Sequence, residues 1–416
     1  MLRSTSLPLV SLAVLAALAG CAASTDKGTP GVLGGDTGVA EGGEDESGFQ
    51  PDSADLGDVD LDGGLDPEKD NDGDGYLFKD DCNDGNKEVN PGAYEVPGDG
   101  VDNDCNGKTD EVDDCDTSTD LNLYKSTIPN DFAKALGLCR TAKAGTEGKD
   151  KTWGVIDAKL VRADGSAIDA ASQVQFGILR NFGPTVKPRA GKNMVVISSG
   201  TARTPDYPGQ VMPRSPSYSS LSAVAFPAGH PLKSDCGSGG FGAATANDSV
   251  NLKLKIRVPT NANAFSFDFD FFSSEYITFV CSSYNDSFVA LLDTAVKLDP
   301  KFAKNVSFDS KGNPVSVNNG FFEVCTPGTS FTGGKTFPCS KGTKELEGTG
   351  FWDTDPKQNG STSWLQTKAP VKPGEEITLQ FMIWDAGDHI LDSTVLIDNF
   401  KWDAKPTTGP VTDRPK

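Results

Sequence analysis

The sequence predicts a mainly β protein: a jelly-roll-like β-sandwich, preceded by a small disulfide-tied module of acidic loops and a disordered tether. Three observations carry that expectation. Apolar and polar residues alternate with period two through many short runs between residues 117 and 403, the pattern of half-buried strands. The acidity is local: net charge is −21, yet residues 41–120 hold 28 Asp and Glu against 4 Lys, leaving 31 acidic and 34 basic residues elsewhere. Nine cysteines are present, and setting Cys21 aside leaves eight, the even number of a disulfide framework in an exported chain.

Residues 1–20 read as a signal segment. Arg3 precedes LPLVSLAVLAALAG, an apolar run too short to cross a bilayer as a helix. The run closes on Leu18-Ala19-Gly20-Cys21, which resembles the lipobox of bacterial lipoproteins, where the signal is cut before the cysteine and that cysteine is lipidated. Lipidated Cys21 would then anchor the chain to a membrane, because several acyl chains hold durably where one does not. Ala22, in place of Asp, implies outer-membrane sorting by the enteric rule. Residues 21–57 are rich in Gly, Asp, Glu, Ser and Thr and nearly free of aromatics, so they cannot bury enough apolar surface to offset ordering. Such a coil spans roughly 30–35 Å on average.

Residues 58–116 form the acidic module. A calcium loop places side-chain oxygens at positions 1, 3 and 5, a Gly at 6 for a sharp turn, a carbonyl at 7 and a carboxylate at 9 or 12. Counting from Asp70 gives Asp70, Asp72, Asp74, Gly75, the Tyr76 carbonyl and Asp81. Counting from Asp102 gives Asp102, Asp104, Asn106, Gly107, the Lys108 carbonyl and Asp110, with Asp113 at position 12 and Glu111 as an earlier closure. A third copy, Asp58, Asp60, Asp62 and Gly63, is discounted because Lys69 stands at its position 12. No long amphipathic helix flanks either loop, and position 12 is Asp where the EF-hand has Glu, so sensor-like opening is not expected. The competing reading is a solvated acidic linker. Two loops in register, each with a nearby Cys, favour the cation.

The stretch DNDGDGYLFKDDCNDGNKEVNPGAYEVPGDGVDNDCNGKTDE (70–111) closely resembles the metal-binding motif repeated in many secreted bacterial proteins and named after a methanotroph copper protein. Many members carry a further Cys near the position of Glu95-Val96; its absence here gives weight to a simple Cys82–Cys105 pair. The copper association does not carry over, since copper prefers imidazole or soft sulfur and residues 58–116 contain no His, Met or Trp. Hard oxygen donors point to calcium as the cofactor.

Eight cysteines allow about 105 pairings. Local pairing points to Cys82 with Cys105 and Cys325 with Cys339; Cys115–Cys139 and Cys236–Cys281 are further candidates, and the full connectivity stays open. No Cys-x-x-Cys occurs, which argues against zinc thiolate and thioredoxin-like sites.

Within residues 117–403, SVNLKLKIRV (249–258) puts Val250, Leu252, Leu254 and Ile256 on one face. AFSFDFDFF (264–272) puts Phe265, Phe267, Phe269 and Phe271 on one face, with Ser266, Asp268 and Asp270 opposite. Further strands are expected at 154–161, 193–198, 286–293, 376–384 and 394–402, and one helix at NDFAKALGL, with Asn130 as N-cap and Pro129 before it. Residues 404–416 read as a disordered tail.

From about Ser126 to Trp402 the chain resembles the choice-of-anchor L domain of bacterial surface proteins, through NDFAKALGL, VVISSGTA, FDFFSSEYITFVCSSYNDSFVALL and WDAGDHILDSTVLIDNFKW. The resemblance implies an extracytoplasmic β-rich module and no activity. Two polar clusters in it are candidates for a second metal or ligand site: Glu275, Asn285 and Asp286, and Asp385, Asp388, His389, Asp392 and Asp398. The plainer reading is turns and caps at strand ends.

The charge distribution argues against nucleic acid as a partner, because phosphate contacts need clustered Lys and Arg. An enzyme is not expected: only His230 and His389 exist, with no His-Glu-x-x-His, Gly-x-Ser-x-Gly or phosphate loop, and CGSGGFG (236–242) lacks the required Lys. The composite expectation is a lipid-anchored protein of the outer membrane or cell surface. It binds calcium and presents a β-sandwich for adhesion to, or recognition of, a glycan, matrix or cell-surface protein. The rivals are a structural envelope component without a dedicated ligand and a carbohydrate-active hydrolase, which needs only two carboxylates.

Overall fold

The computed structural model describes residues 66–116, 128–170, 172–203, 224–225, 236, 245–318, 321–330, 334–351 and 359–415. The signal at 1–20, lipidation at Cys21, the tether at 21–57 and the discounted loop of Asp58, Asp60, Asp62 and Gly63 lie outside the described residues.

Two antiparallel sheets face each other. The six-stranded sheet has the order β1 (Gly154–Val161), β5 (Thr245–Arg257), β14 (Glu376–Asp385), β7 (Ser287–Asp293) and β8 (Val315–Ser316), with β4 (Val224–Ala225) also on β5. The eight-stranded sheet runs β16 (Val411–Asp413), β13 (Leu365–Pro370), β6 (Ala264–Ser273), β15 (Ser393–Asp403), β3 (Met194–Ser198) and β2 (Phe176–Leu179). In it β12 (Gly360–Ser361) joins β6 to β9 (Val324–Cys325), while β10 (Gly328–Thr329) and β11 (Thr336–Phe337) form a separate ribbon. The long strands alternate between sheets along the chain, β5 to β6 to β7 and β13 to β14 to β15. That alternation is what makes the sandwich jelly-roll-like.

The period-two runs explain the core. Val250, Leu252, Leu254 and Ile256 of β5 meet Phe265, Phe267, Phe269 and Phe271 of β6 in one buried cluster. Phe267 stacks edge-on to Phe381 of β14 at 4.9 Å, and Phe269 lies 5.1 Å from Phe288 of β7, so side chains of the two sheets interleave. Each such fully buried Phe contributes about 2–3 kcal/mol.

The other face of β6 is not wet. Phe182, Phe351 and Leu346 join Phe272, Val196 and Leu396 in a second apolar cluster, and Asp268 and Asp270 of β6 are buried as well. Asp268 is then held by Arg189, Gln366 and Asn399, and Asp270 by the Ser361 and Thr362 hydroxyls.

Two expectations are corrected. Helix α1 (Pro129–Ala135) starts two residues early: Ile128 is the N-cap in place of Asn130, and Pro129 is inside the first turn, where its missing N–H costs nothing. The tail is ordered where described, since β16 pairs Thr412 with Thr367 of β13, and Arg414 donates to the carbonyls of Thr362 and Phe321. Among the described residues no helix is long and apolar enough to cross a membrane.

The acidic module packs onto the sandwich within one compact unit, Gly64–Lys416. Tyr76 is 1% exposed and donates its hydroxyl to the Lys151 carbonyl at 2.6 Å. The Trp153 indole donates to the Ala93 carbonyl at 2.7 Å, and Tyr94 and Asn261 exchange two hydrogen bonds. At Gly92 a side chain would meet the Tyr76 hydroxyl, so this contact requires glycine.

Candidate metal centre

Both acidic loops turn where the register predicts. Gly75 and Gly107, each at position 6, have φ of 100° and 87°, a region that disfavours side chains. Position 1 serves as the loop's own cap. Asp70 accepts from the amides of Gly73 and Gly75, and Asp102 from those of Asn106 and Gly107. The Cys82–Cys105 disulfide ties the two loops together; the other bonds are Cys115–Cys139, Cys236–Cys281 and Cys325–Cys339. A crosslink spanning 23 residues removes on the order of 3 kcal/mol of unfolded-chain entropy.

In the first loop, Asp72, Asp74 and Asp81 bring one carboxylate oxygen each to within 4.8 Å of the others. Asp72 Oδ1, Asp74 Oδ1 and Asp81 Oδ1 accept backbone amides two residues ahead, which fixes the side chains. The Oδ2 atoms of all three are buried without a hydrogen-bond partner. Burial, reinforced by Asp72, pushes the Asp74 carboxyl up to about 7, and burial also raises Asp81. Three acceptors with no donor between them suit a cation, so these residues fit the ion that the loop pattern implies. Asp84, which the register did not include, lies beside Asp70 and Asp72 and accepts from Asn71. The Tyr76 amide closes on Asp74.

The second loop is organised differently. Its convergent carboxylates are Glu95, Asp104 and Glu111. Glu95 accepts from the amides of Asp104 and Asp110 at 3.0 and 2.8 Å, and burial raises its pKa. Asp110 instead accepts from the amides of Gly98 and Gly100, and Asp113 pairs with Arg140 at 2.6 Å, so neither closes the loop. Arg140 also reaches Asp104 at 2.5 Å, with its guanidinium 4.9 Å from the Trp153 ring. Asn106 accepts from the exposed Lys108 amide and donates to Glu111. Glu111 was the earlier closure in the sequence; Glu95 was hidden because it lies outside the twelve-residue window.

In the sandwich the two polar clusters separate and recombine. Glu275, Asp286 and Asp385 converge at one end, all buried. Burial and then Asp286 push Glu275 far up, burial pushes Asp286 up to about 7, and burial followed by Asp286 raises Asp385. The other members have local duties. Asn285 accepts from the Asn318 amide, and the Asp388 carboxylate from the Ile390 amide. The Asp392 carbonyl takes the Ser274 amide, and His389 bonds Asp248 at 2.8 Å. Asp398 lies on β15, away from that end, and accepts from the amides of Arg189, Ala190 and Asn399.

Comparison with known proteins places these regions. Residues 81–111 match a family described as "Putative metal-binding motif"; the match includes Asp81 and the whole second loop up to Glu111, and leaves Asp70, Asp72 and Asp74 outside. No curated protein sequence matches the chain. Among solved structures, the K3 cleaved adhesin domain of Lys-gingipain from Porphyromonas gingivalis is 11% identical, covering 58% of this chain and 91% of that one, with a TM-score of 0.21. Residues 172–401, from the turn before β2 through most of β15, match the choice-of-anchor L domain. With more than half its length in that match, the chain belongs to the choice-of-anchor L domain family.

Proposed function

We propose that this chain is a lipid-anchored protein of the outer-membrane surface that binds Ca²⁺ through its first acidic loop and presents the β-sandwich for adhesion or recognition. The observation that supports the ion is the convergence of Asp72, Asp74 and Asp81 with three buried, partnerless oxygens. Calcium suits this donor set better than copper or zinc, because all donors are hard oxygens and both nearby cysteines are consumed in a disulfide. When bound, the ion would neutralise charge that the loop now concentrates; the chain's own contribution is to hold the three carboxylates on backbone amides.

Four disulfides support an extracytoplasmic location, and Cys21 supplies the route to the membrane. The partner is a glycan, a matrix component or another cell-surface protein, and the role is non-catalytic.

Calorimetric titration of the metal-stripped full chain with CaCl₂ tests the ion: saturable heat is expected, and a flat trace rejects it. Protease shaving of intact cells tests display, since a chain cut only after the outer membrane is opened faces the periplasm. A glycan array and a polysaccharide-release assay separate recognition from hydrolysis.

A further inference from the structure

We propose that Glu275, Asp286 and Asp385 form a second cation site, buried inside the choice-of-anchor L domain and built for a hard divalent ion of the calcium class. It goes beyond the module's ion and does not depend on it.

Strand register assembles the site. Ser287 of β7 is paired with Trp384 of β14, so Asp286 and Asp385 stand next to each other one step beyond that pair. Ser273 ends β6, and Glu275 follows two residues later at the same end of the sandwich. Its side chain accepts the Asp286 amide at 3.3 Å, which ties it to the start of β7. The result is three carboxylates from three strand ends, with one oxygen of each within 4.8 Å of the others.

Burial makes this arrangement costly without a positive charge. Glu275, Asp286 and Asp385 are 1%, 0% and 2% exposed. Asp286 Oδ1 accepts the Ala386 amide, but Asp286 Oδ2 and Asp385 Oδ1 are buried with no hydrogen-bond partner. Single carboxylates elsewhere in the domain, such as Asp248 and Asp270, also keep one partnerless oxygen, but each has a side-chain partner on its other oxygen, and nowhere else in the domain do three buried carboxylates converge among the described residues. Asp268 has Arg189, Gln366 and Asn399, Asp398 has three amides, and Asp248 has His389. Among the described residues no Lys, Arg or His forms an ion pair with any of the three. Asp388 adds a fourth negative charge close enough to act on Glu275 and Asp385. Two orphaned oxygens at a buried, triply acidic point are the donor set a hard cation takes, and one too buried for a polymeric substrate.

Such an ion would staple the β6–β7 connection, already crosslinked through Cys281 to Cys236, to the end of β14. Its role is to hold one end of the sandwich together.

The test uses the full chain carrying Asp72→Asn, Asp81→Asn and Glu111→Gln, which silences the module. After stripping with EGTA and reloading with CaCl₂, elemental analysis should find one bound Ca²⁺ per chain, and Ca²⁺ should raise the thermal midpoint. Adding Asp385→Asn should abolish both. A module-silent chain that keeps no Ca²⁺ overturns the proposal without needing the fourth substitution. So does an Asp385→Asn chain that still loads one ion. A cluster that holds only protons would be relieved by the amide. A midpoint for Asp385→Asn in EGTA equal to or above that of the module-silent parent, with no response to Ca²⁺ in either, also overturns it. Failure of the module reading shows separately, as equal Ca²⁺ content in the wild-type and module-silent chains.

Discussion

The two acidic loops share a register and a glycine turn, yet they meet different neighbours. In the first, Asp72, Asp74 and Asp81 converge with their outer oxygens partnerless. In the second, Arg140 occupies Asp104 and Asp113 and turn amides take Asp110, so that of its convergent carboxylates Glu111 is the one whose buried outer oxygen has neither hydrogen bond nor close cation. One pattern therefore supplies two different charge balances. Spacing nominates ligands, but the fold decides which of them keep a lone pair to give. A guanidinium brought in from the sandwich side already does at the second loop part of what an ion would do at the first.

The strongest break of this contrast is to disarm the first loop. Asp72→Asn with Asp81→Asn should weaken Ca²⁺ binding roughly 1,000-fold, about 4 kcal/mol, in calorimetric titration. An unchanged affinity would place the ion elsewhere.

A buried carboxylate whose hydrogen bonds come from hydroxyls provides the reference case. Burial pushes Asp270 up to about 7, opposed by the Ser361 hydroxyl. Because its folded pKa lies above its unfolded one, its contribution is fully present below about pH 4 and is lost as pH rises through about 7. Between those limits Asp270→Asn should flatten the decline in stability by on the order of 2–3 kcal/mol in chelator, measured by denaturant unfolding at each pH. An identical slope in the variant would mean that the Ser361 and Thr362 hydroxyls suffice for the ionised form.

Removing the internal cation should make the loops more alike. Arg140→Gln should tighten Ca²⁺ binding at Glu95, Asp104 and Glu111 roughly tenfold, while loosening the junction at Trp153. A titration step beyond those of the unmodified chain is the readout; its absence would show that Arg140 does not compete with an ion.

Opening the crosslink acts on both loops through order alone. Cys82→Ser with Cys105→Ser should weaken Ca²⁺ binding roughly fivefold, since each loop then loses freedom on binding. Smallest of all, Asp110→Asn should change Ca²⁺ affinity by less than about twofold, because its oxygens serve Gly98 and Gly100. A larger loss would return Asp110 to the ligand set.

Much of this was written in local sequence. The aromatic alternation of β6 and the aliphatic alternation of β5 identify the facing layers, since period two is a property of the strand itself. The two glycines at position 6 announce the loop turns for the same reason. What local sequence does not carry is cover. Asp268 and Asp270 alternate with phenylalanines as if facing water, but both are buried against side chains from distant segments, Arg189 and Gln366 for one and Ser361 and Thr362 for the other. Arg140 is 36 residues from Asp104 and arrives through the sandwich, so no loop template contains it. Glu275, Asp286 and Asp385 were visible as members of two separate clusters, and only the β7–β14 register makes them one. β16 was missed because three residues after a Pro- and Gly-rich stretch carry too little periodicity to register as a strand.

The Cys115–Cys139 bond has a mechanical meaning. It joins the end of the acidic module to the residues just after α1, bridging the intervening chain covalently. Tension drawn along the chain from the module therefore enters the sandwich at Cys139 and bypasses residues 117–127. A single proteolytic cut anywhere in that bypassed stretch would leave the two parts covalently joined until the bond is reduced. The two parts are therefore joined twice, by peptide and by sulfur, and come apart covalently only when both are broken.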